Sequence, residues 1–390
     1  MKQHLIDWAE QVSDLKTPAF IVDEQQLRAD AETARSAIKS RNTKLLFAMK
    51  SFSIEPALQS LSSIVDGFHA SSLFEAKLAR QILGGKGIIH LTTPGLRADE
   101  YEELNHLCDY ISFNSLTQWQ TFQCHKATTT KCGLRINPQL SLIEDERYDP
   151  CRVSSKLGVS LQQLQSVFND DPQLLENISG LLIHSNCDAT DFSGLIKTFK
   201  RLDQHHSKLL EKLEWLNLGG GYLFNEIENT RAFHELIENI EHRYQLQILF
   251  EPGAGISRKA GYLVSTVLDI FESDGRQVVV LDTSVNHMPE VFEYQFTPDV
   301  ISDSENAKFT YRLTGSTCLA GDIFGDYAFE SKLHIGSRII FYNAGAYTMV
   351  KAHFFNGLNL PSIYMFREDG NASLIKQFNF NDYLTHCGAG

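Results

Sequence analysis

The feature of this 390-residue chain that most constrains its fold is a series of eight short apolar runs between residues 44 and 251. Each run is apolar almost throughout rather than alternating, which is typical of parallel strands buried on both faces. The segments between the runs carry helical periodicity, as in SSLFEAKLARQIL, which begins at Ser71. The predicted strands lie at residues 44–50, 67–71, 88–92, 110–114, 132–137, 178–184, 215–219 and 247–251.

Eight strand-helix units in about 230 residues predict a (β/α)8 barrel, a fold that typically takes roughly 250 residues. From about residue 260 the pattern changes to alternating, β-branched runs such as RQVVVLD and KFTYRLTG, which are typical of an all-β region. The run TPAFIVD at 17–23 predicts a further strand that joins this second region. We therefore predict the α/β class, with a TIM-like (β/α)8 barrel at 24–258 and a C-terminal all-β domain formed by 1–23 and 259–390.

The charge of the chain disfavours nucleic acid and anionic membranes as partners. Its formal net charge is −13 at pH 7, and its lysines and arginines do not cluster. Seven scattered cysteines without a CxxC pair predict reduced thiols, and the lack of HExxH and paired CxxC motifs predicts no metal site. The first residues lack the apolar core of a signal peptide, and no run reaches the ~18 apolar residues of a membrane span. We therefore expect a soluble, cytoplasmic protein that acts on a small molecule.

Polar residues end several of the predicted strands, at the face where barrel enzymes place their chemistry. Lys50 ends the first run in the sequence FAMKS, after a series of apolar or small residues. Partial desolvation at that position lowers the pKa of the amine and favours the neutral form that a Schiff base requires. A lysine that extends its ammonium group from a strand end to water is the alternative interpretation.

Three other strand ends carry groups that suit a phosphorylated aromatic cofactor. Gly219, Gly220 and Gly221 follow the seventh run, and consecutive glycines let backbone amides surround a phosphate, although a tight turn is the alternative. Glu251 ends the eighth run in EPG, where a carboxylate facing a pyridine nitrogen would keep it protonated and make the ring an electron sink. The alternative is a carboxylate held by neighbouring amides. His184 follows the sixth run, and its imidazole either stacks on an aromatic cofactor or packs in the core.

Two glycine-rich turns late in the chain carry three more candidates. Cys318 and Asp322 lie in GSTCLAGD, and Tyr347 lies in NAGAYTM. Their thiol, carboxylate and phenol groups can transfer a proton or form hydrogen bonds to a ligand. Taken singly, each of them fits a structural role better.

These segments together resemble the fold-type III pyridoxal-phosphate decarboxylases, the group of the ornithine and diaminopimelate decarboxylases with an alanine-racemase-like barrel. The resemblance runs in consistent order from about Thr17 to beyond Pro361. Its motifs are FAMKSFS (47–53), SSLFEAKLAR (71–80), GLRINP (133–138), SSKLG (154–158), IHSNCD (183–188), LNLGGG (216–221), EPG (251–253), CLAGDIFGDY (318–327) and AGAYTMVKAHFFNGL (344–358).

The resemblance implies a role for each residue described above. Lys50 would bind pyridoxal phosphate covalently, His184 would stack on its ring, and Glu251 would pair with the ring nitrogen. The expected contacts to the phosphate or ring are Gly219, Gly220, Gly221, Gly253 and Tyr347.

The resemblance also implies a homodimer with shared active sites. In the family, residues at the positions of Cys318 and Asp322 reach the active site from the other protomer. Cys318 would protonate the carbanion that decarboxylation leaves, and Asp322 would lie near the substrate.

Departures from the family pattern bear on the substrate. Ala254 follows EPG, where the ornithine and diaminopimelate decarboxylases carry arginine. In an alignment on Asp282, Glu290 falls where the diaminopimelate enzymes have another arginine, so a distal substrate carboxylate loses its partner. A long polyamine-like substrate therefore fits better, with Asp282 and Asn286 as expected contacts.

Within the family the carboxynorspermidine decarboxylases are most similar. The expected reaction is therefore removal of the α-carboxylate of carboxynorspermidine or carboxyspermidine, which gives norspermidine or spermidine in polyamine biosynthesis. One alternative is decarboxylation of another diamino acid, such as diaminopimelate, lysine, ornithine or arginine. The other is a catalytically silent homologue that regulates a partner decarboxylase, although such proteins tend to lose the lysine or the cysteine, and both are present here.

Overall fold

The computed structural model describes residues 15–38, 40, 42–123, 129–304, 306–367 and 370–389. The chain divides into two compact units. One comprises Arg28–Ile256, and the other comprises the chain up to Leu27 together with everything from Ser257 onward.

The elements up to the end of the first unit alternate between strands and helices. They are β1 (Ala19–Asp23), α1 (Glu24–Ala37), β2 (Thr43–Ala48), α2 (Glu55–Leu61), β3 (Gly67–Ala70), α3 (Leu73–Leu83), β4 (Ile88–Thr93), α4 (Ala98–Leu107), β5 (Tyr110–Phe113), α5 (Leu116–Phe122), β6 (Lys131–Asn137), β7 (Val159–Ser160), α6 (Leu161–Asp170), β8 (Gly180–Ile183), α7 (Ser193–Leu210), β9 (Trp215–Asn217), α8 (Arg231–Tyr244) and β10 (Gln247–Phe250).

Eight of these strands form a closed parallel barrel. Its order is β5-β4-β3-β2-β10-β9-β8-β6, and pairing of β5 with β6 closes the ring, while the two-residue β7 adds to β6. All eight predicted strands are present, and the predicted barrel is confirmed. The polar residues at the carboxyl ends of these strands therefore lie at the same end of the barrel, because parallel strands share their direction.

Serine residues set where several barrel helices begin. The side chains of Ser72, Ser115 and Ser160 each accept a hydrogen bond from the backbone amide three residues further on, at the start of α3, α5 and α6. Such caps satisfy amides that the first helical turn leaves unpaired. The chain therefore turns from strand to helix at fixed residues, and this fixes the loops that carry the polar strand ends.

A tryptophan fills the barrel interior below the polar end. The Trp215 side chain is fully buried, and its ring nitrogen donates to Ser179 Oγ at 3.0 Å. A Cβ atom on Gly180 would lie 2.0 Å from the indole, and one on Gly133 would lie 2.6 Å from it. The indole thus occupies the volume that two neighbouring strands leave free by carrying glycine, and it packs edge-on against Tyr110.

The second unit is built on an eight-stranded sheet. The short helix α9 (Ala254–Ser257) follows β10 and ends at the first residue of this unit. The further elements of the unit are β11 (Gly261–Ser273), β12 (Arg276–Leu281), α10 (Pro289–Tyr294), β13 (Phe309–Thr314), β14 (Ile323–Phe329), β15 (Arg338–Phe341), β16 (Ser362–Phe366), β17 (Ala372–Lys376) and α11 (Phe380–His386). The sheet order is β14-β13-β12-β11-β1-β16-β17, with β15 beside β11. The early strand β1 lies between β11 and β16 in this sheet.

Candidate active site

Lys50 lies directly after β2, in one turn of 3-10 helix at Met49–Ser51. Hydrogen bonds fix this turn, from Ser51 Oγ to the Ala48 carbonyl at 2.9 Å and from the Ala48 amide to the Pro252 carbonyl at 2.9 Å. The Lys50 side chain is exposed to solvent, but protein atoms also lie close around its amine. Desolvation lowers the pKa of its amine below the usual range, and the charge of Arg135 lowers it further. The amine is thus more often neutral than that of a surface lysine.

Glu251 follows β10 and is almost completely buried. Its Oε1 is in a close hydrogen bond with His90 Nδ1, and its Oε2 lies 3.8 Å from His69 Nε2. Burial alone would raise the pKa of Glu251, but the neighbouring histidines and hydrogen bonds from His90 and Asn217 lower it to about 2. Glu251 is therefore a buried carboxylate that stays ionised at neutral pH.

His184 follows β8 and is half-buried. Its Nδ1 accepts a hydrogen bond from the Gly220 amide at 3.1 Å, which leaves the ring proton on Nε2. Burial, followed by the charges of Lys50 and Arg135, lowers its pKa well below the usual value. A neutral, planar ring is thus held beside the glycine loop.

The glycine loop after β9 is pressed between two strand ends. A Cβ atom on Gly220 would lie 2.1 Å from the Glu251 carbonyl oxygen, and one on Gly221 would lie 2.2 Å from the carbonyl oxygen of Asn186. The amides of Gly219 and Gly220 donate to Asn217 Oδ1 and to His184 Nδ1. A phosphate at this loop would consequently rely on other amides than these two, a restriction that the glycine pattern in the sequence does not show.

The barrel interior also holds polar residues that the sequence left without a role. His69 on β3 is buried, and neither of its ring nitrogens has a hydrogen-bond partner in the described part of the chain. Arg135 on β6 is buried as well, and its guanidinium makes no hydrogen bond to another described residue. Burial lowers the pKa of His69 to about 3 and that of Arg135 to about 10. His69 is thus neutral and Arg135 charged at neutral pH.

Three further side chains of the barrel interior were missed, two of them inside strands and the third at the last residue of β9. They are His90, Ser112 and Asn217, all buried and hydrogen-bonded to one another or to Glu251. Since side chains alternate between the two faces of a strand, counting back two residues from a strand-end polar group finds such positions. His90 stands two residues before Thr92, and Ser112 two residues before Asn114.

In the second unit, Asp322 holds a turn together. It is buried, and its carboxylate accepts hydrogen bonds from the Val285 amide at 2.8 Å and the Thr317 amide at 3.1 Å. A Cβ atom on Gly315 would lie 2.2 Å from Asp322 Oδ1. These contacts account for Asp322 without a substrate, and its predicted substrate contact stays a prediction.

The same turn exposes Cys318. Its backbone amide donates to Asn356 Oδ1 at 2.8 Å, and Asn356 has a left-handed backbone with φ of 54°. Tyr347 is half-buried and also left-handed, with φ of 56°. Two loops of the second unit are therefore tied together beside the exposed thiol.

The other two predicted substrate contacts of this unit, Asp282 and Asn286, differ in their hydrogen bonds. The carboxylate of Asp282 accepts hydrogen bonds from Thr17 Oγ1 at 2.6 Å, Ser265 Oγ at 2.7 Å and the Thr266 amide at 2.8 Å. Asp282 therefore fastens strands of the sheet, and we leave it out of the proposed site. Asn286 is half-buried, and its amide donates to Ser284 Oγ at 2.7 Å. Its role stays a prediction.

Among the described residues, no cluster of three or more His, Cys, Asp or Glu side chains is arranged to hold a metal ion. Within the same residues, no helix has the length and apolar character needed to cross a bilayer. The polar barrel end instead combines an amine, a carboxylate, a guanidinium and neutral imidazoles. Such groups are suited to an anionic, nitrogen-containing aromatic cofactor bound through an amine.

Comparison with known proteins assigns the class. Residues 19–345 match the family described as "Pyridoxal-dependent decarboxylase, C-terminal sheet domain". The chain is 35% identical to the carboxyaminopropylagmatine decarboxylase of Synechocystis sp., over 97% of both chains. It is 33% identical to the carboxynorspermidine/carboxyspermidine decarboxylase of Campylobacter jejuni, over 95% of this chain and 98% of the relative. The chain belongs to the pyridoxal-dependent decarboxylases.

Solved structures agree. The crystal structure of the Campylobacter jejuni carboxynorspermidine decarboxylase complexed with norspermidine has a TM-score of 0.85, is 31% identical, and covers 95% of this chain and 100% of its own. The diaminopimelate decarboxylase of Helicobacter pylori complexed with L-lysine has a TM-score of 0.83 at 20% identity, which supports the fold alone. The protein is therefore a pyridoxal-phosphate-dependent decarboxylase with a TIM-like barrel, and the predicted class, fold and cofactor are confirmed.

The residues at the barrel end fit that cofactor. The ring nitrogens of His69 are buried without a hydrogen-bond partner among the described residues, and Arg135 is a buried cation, so both suit a polar, anionic ligand. The ionised Glu251 suits a ring nitrogen that must keep a proton, and Lys50 offers a partly neutral amine.

Proposed function

We propose that this enzyme removes the α-carboxylate of carboxynorspermidine or carboxyspermidine and so produces norspermidine or spermidine in polyamine biosynthesis. The observation that carries decarboxylation is the meeting of Lys50, Glu251 and His184 at one barrel end, the first with a lowered pKa and the second ionised. The polyamine substrate is supported by the relatives from Campylobacter jejuni and Herminiimonas arsenicoxydans, which are 33% and 32% identical.

Each residue of the barrel end has a definite task in this reaction. Bound pyridoxal phosphate supplies an electron sink for the electron pair left when carbon dioxide departs. Lys50 would hold the cofactor, and its lowered pKa favours the neutral amine that a Schiff base requires. The ionised Glu251 would hold a proton on the ring nitrogen, and the neutral His184 would contact the ring.

The remaining proton comes from the second unit in our proposal. Cys318 carries an exposed thiol on a turn that Asp322 fixes, so the thiol can reach a neighbouring molecule. We propose that Cys318 of one protomer protonates the substrate carbon in the site of the other. Gly253 and Tyr347 remain proposed cofactor contacts.

Exposed apolar side chains support a homodimer. Of the twelve large hydrophobic residues that are exposed in the described chain, ten belong to the second unit. Two of them flank the Cys318 turn, since Phe292 packs on Gly321 and Phe355 precedes Asn356. Apolar surface of this kind marks interfaces between proteins. We retain 24–258, and 1–23 with 259–390, as the proposed domains.

Carboxyaminopropylagmatine is the second candidate substrate. It is the compound named for the Synechocystis relative, which is 35% identical over nearly the whole chain. Its far end is a guanidinium in place of an ammonium group. By resemblance, the carboxynorspermidine decarboxylases are expected to carry glutamate at the position of Ala254 and an acidic residue near that of Asn286, so these two departures favour a related but different substrate.

Other diamino acids are disfavoured. The diaminopimelate decarboxylases of Haemophilus influenzae and Neisseria meningitidis are 24% and 22% identical to this chain. At the position where their arginine was expected stands Glu290, which accepts a hydrogen bond from Lys351 at 3.4 Å. An acidic group there repels a distal substrate carboxylate.

A substrate panel tests the proposal. Purified enzyme saturated with pyridoxal phosphate is given carboxynorspermidine, carboxyspermidine, carboxyaminopropylagmatine, diaminopimelate and ornithine in turn, and carbon dioxide and amine products are measured. We expect the highest kcat/KM with one of the first two. Preference for the third selects the second candidate, and preference for diaminopimelate or ornithine refutes the polyamine assignment.

A further inference from the structure

The barrel interior directly beneath Glu251 is polar, although it rests on an apolar floor. His90 and Asn217 are fully buried and Ser112 is nearly so, on the strands β4, β9 and β5. The floor below them is Trp215, whose ring centre lies 5.6 Å from that of His90. Buried polar side chains cost free energy unless they are hydrogen-bonded, so three of them together need a reason.

The hydrogen bonds of this group can be assigned a direction. An ionised carboxylate only accepts, so His90 Nδ1 carries the proton and donates it to Glu251 Oε1. His90 Nε2 then accepts from the hydroxyl of Ser112 at 2.8 Å. Ser112 therefore selects the tautomer of His90 that is able to donate to Glu251.

Asn217 joins the carboxylate to the glycine loop. Its Nδ2 lies 2.9 Å from His90 Nδ1 and donates to Glu251, because the proton of Nδ1 already faces the carboxylate. Its Oδ1 accepts from the Gly219 amide at 2.8 Å. A displacement of Asn217 would thus move both the Glu251 carboxylate and the glycine loop.

The two carboxylate oxygens of Glu251 have different surroundings. Glu251 Oε1 is held by His90, while Oε2 lies 3.8 Å from His69 Nε2, beyond hydrogen-bond distance. Charge-assisted hydrogen bonds to one oxygen favour the ionised form of the whole group. The network therefore determines both the charge of Glu251 and the oxygen that it presents to a ligand.

We propose that His90 is a positioning residue that keeps Glu251 ionised and directs Oε2 to the ring nitrogen of the cofactor, with Ser112 and Asn217 fixing His90 and Glu251 in place. This rests on the proposed role of Glu251, but not on the identity of the substrate. A network that only filled space would lower stability when broken and would leave the protonation of Glu251 unchanged.

The test compares three variants of the network, each as holoenzyme. His90→Leu removes the donor, His90→Asn keeps an N–H near the position of Nδ1, and Ser112→Ala removes only the selection of the tautomer. His206→Leu is the matched control, because it exchanges another buried histidine, on α7. The measurements are the pH profile of kcat, the Kd of pyridoxal phosphate from absorbance titration, and the spectrum of the bound cofactor against pH.

Several titratable or charged groups face Glu251 and influence its pKa, which the pH profile of kcat is used to follow. They are His69, His90, Lys50, Arg135 and His184. The two His90 variants change only His90, so the charges of the other four groups stay the same. Losing its hydrogen bond lets burial raise the pKa of Glu251, and the acidic limb of the kcat profile moves to higher pH.

We expect His90→Leu to lower kcat on the order of ten- to a hundredfold, with a smaller change in KM, and to move the acidic limb up by roughly one pH unit. The spectrum of the bound cofactor should become pH-dependent where that of the wild type is constant. His90→Asn should recover most of this loss, Ser112→Ala should show a change of a few-fold in the same direction, and His206→Leu should match the wild type.

Glu251→Gln and the double variant with His90→Leu complete the experiment. If His90 acts through Glu251, the double variant is no slower than Glu251→Gln alone. Additive losses, or variants that lose stability while their pH profiles and spectra stay those of the wild type, overturn the inference. Should His90→Leu fail to fold, Ser112→Ala and His90→Asn decide the question by the same profiles. A Glu251→Gln enzyme as active as the wild type would instead refute the proposed role of Glu251 itself.

Discussion

Replacing Gly220 with alanine tests how tightly the glycine loop and the carboxylate are joined. A Cβ atom there would lie 2.1 Å from the carbonyl oxygen of Glu251 and 2.8 Å from its carbonyl carbon. Both atoms belong to the backbone, and the Glu251 amide is itself bonded to the Gly219 carbonyl at 2.7 Å. No side-chain rotation relieves this contact, so the loop and the strand end must move apart.

The size of the effect follows from that displacement. The two segments must separate by about 1 Å, and overpacking a well-packed interior costs roughly 1–3 kcal/mol, here at the upper end because backbone meets backbone. A displacement of about 1 Å at a catalytic group costs on the order of a hundredfold in rate. We therefore expect Gly220→Ala to lose about 3 kcal/mol of unfolding free energy and about a hundredfold of kcat/KM.

Thermal unfolding of the apoprotein and decarboxylation assays of the holoenzyme measure the two effects. A loss of about 3 kcal/mol lowers Tm by roughly 6–12 °C. The control is Gly95→Ala, since a Cβ atom on Gly95 meets nothing within 4 Å. Equal Tm and equal kcat/KM in Gly220→Ala and Gly95→Ala would refute the steric reasoning.

Three further predictions concern single side chains. Lys50→Ala should abolish turnover and the covalent retention of pyridoxal phosphate through dialysis, and retained activity would remove Lys50 from its role. Burial lowers the pKa of His69 to about 3, below its value of 6.5 in the unfolded chain, so only the unfolded chain takes up this proton as the pH falls from 6.5. Unfolding free energy should then fall by about 1.4 kcal/mol per pH unit from this residue, and His69→Asn should flatten the acidic slope in denaturant titrations. Cys318→Ser should lower kcat by roughly tenfold or more, because it replaces the proposed general acid. Cys387→Ser, which changes another exposed thiol, should leave kcat unchanged.

The barrel was predictable because its strands carry a strong signal. Runs such as 44–50 and 178–184 are apolar over most of their length, as is typical of strands buried on both faces, and the spacing of the runs matches one helix per connection. Lys50, His184 and Glu251 were found by one rule, that chemistry in such barrels lies at the carboxyl ends of the strands.

The network behind the site was not predictable to the same degree. His90 and Ser112 lie within runs that are otherwise apolar, and a single polar residue inside a strand is read as tolerated rather than as paired. Their partnership with Glu251 depends on strands that are distant in the sequence and adjacent only after the barrel closes. The engaged amides of Gly219 and Gly220 likewise depend on tertiary contacts that a glycine pattern does not encode.

The indole in the barrel floor has a consequence for how this sequence can diverge. Trp215 occupies the space beside Gly133 and Gly180, so alanine at either glycine meets the ring at once, and a smaller residue at 215 leaves a void beside both. A single substitution at any one of these three positions therefore disrupts the packing, and only a paired exchange restores it. These three positions should be inherited together across the family and should change together where they change at all.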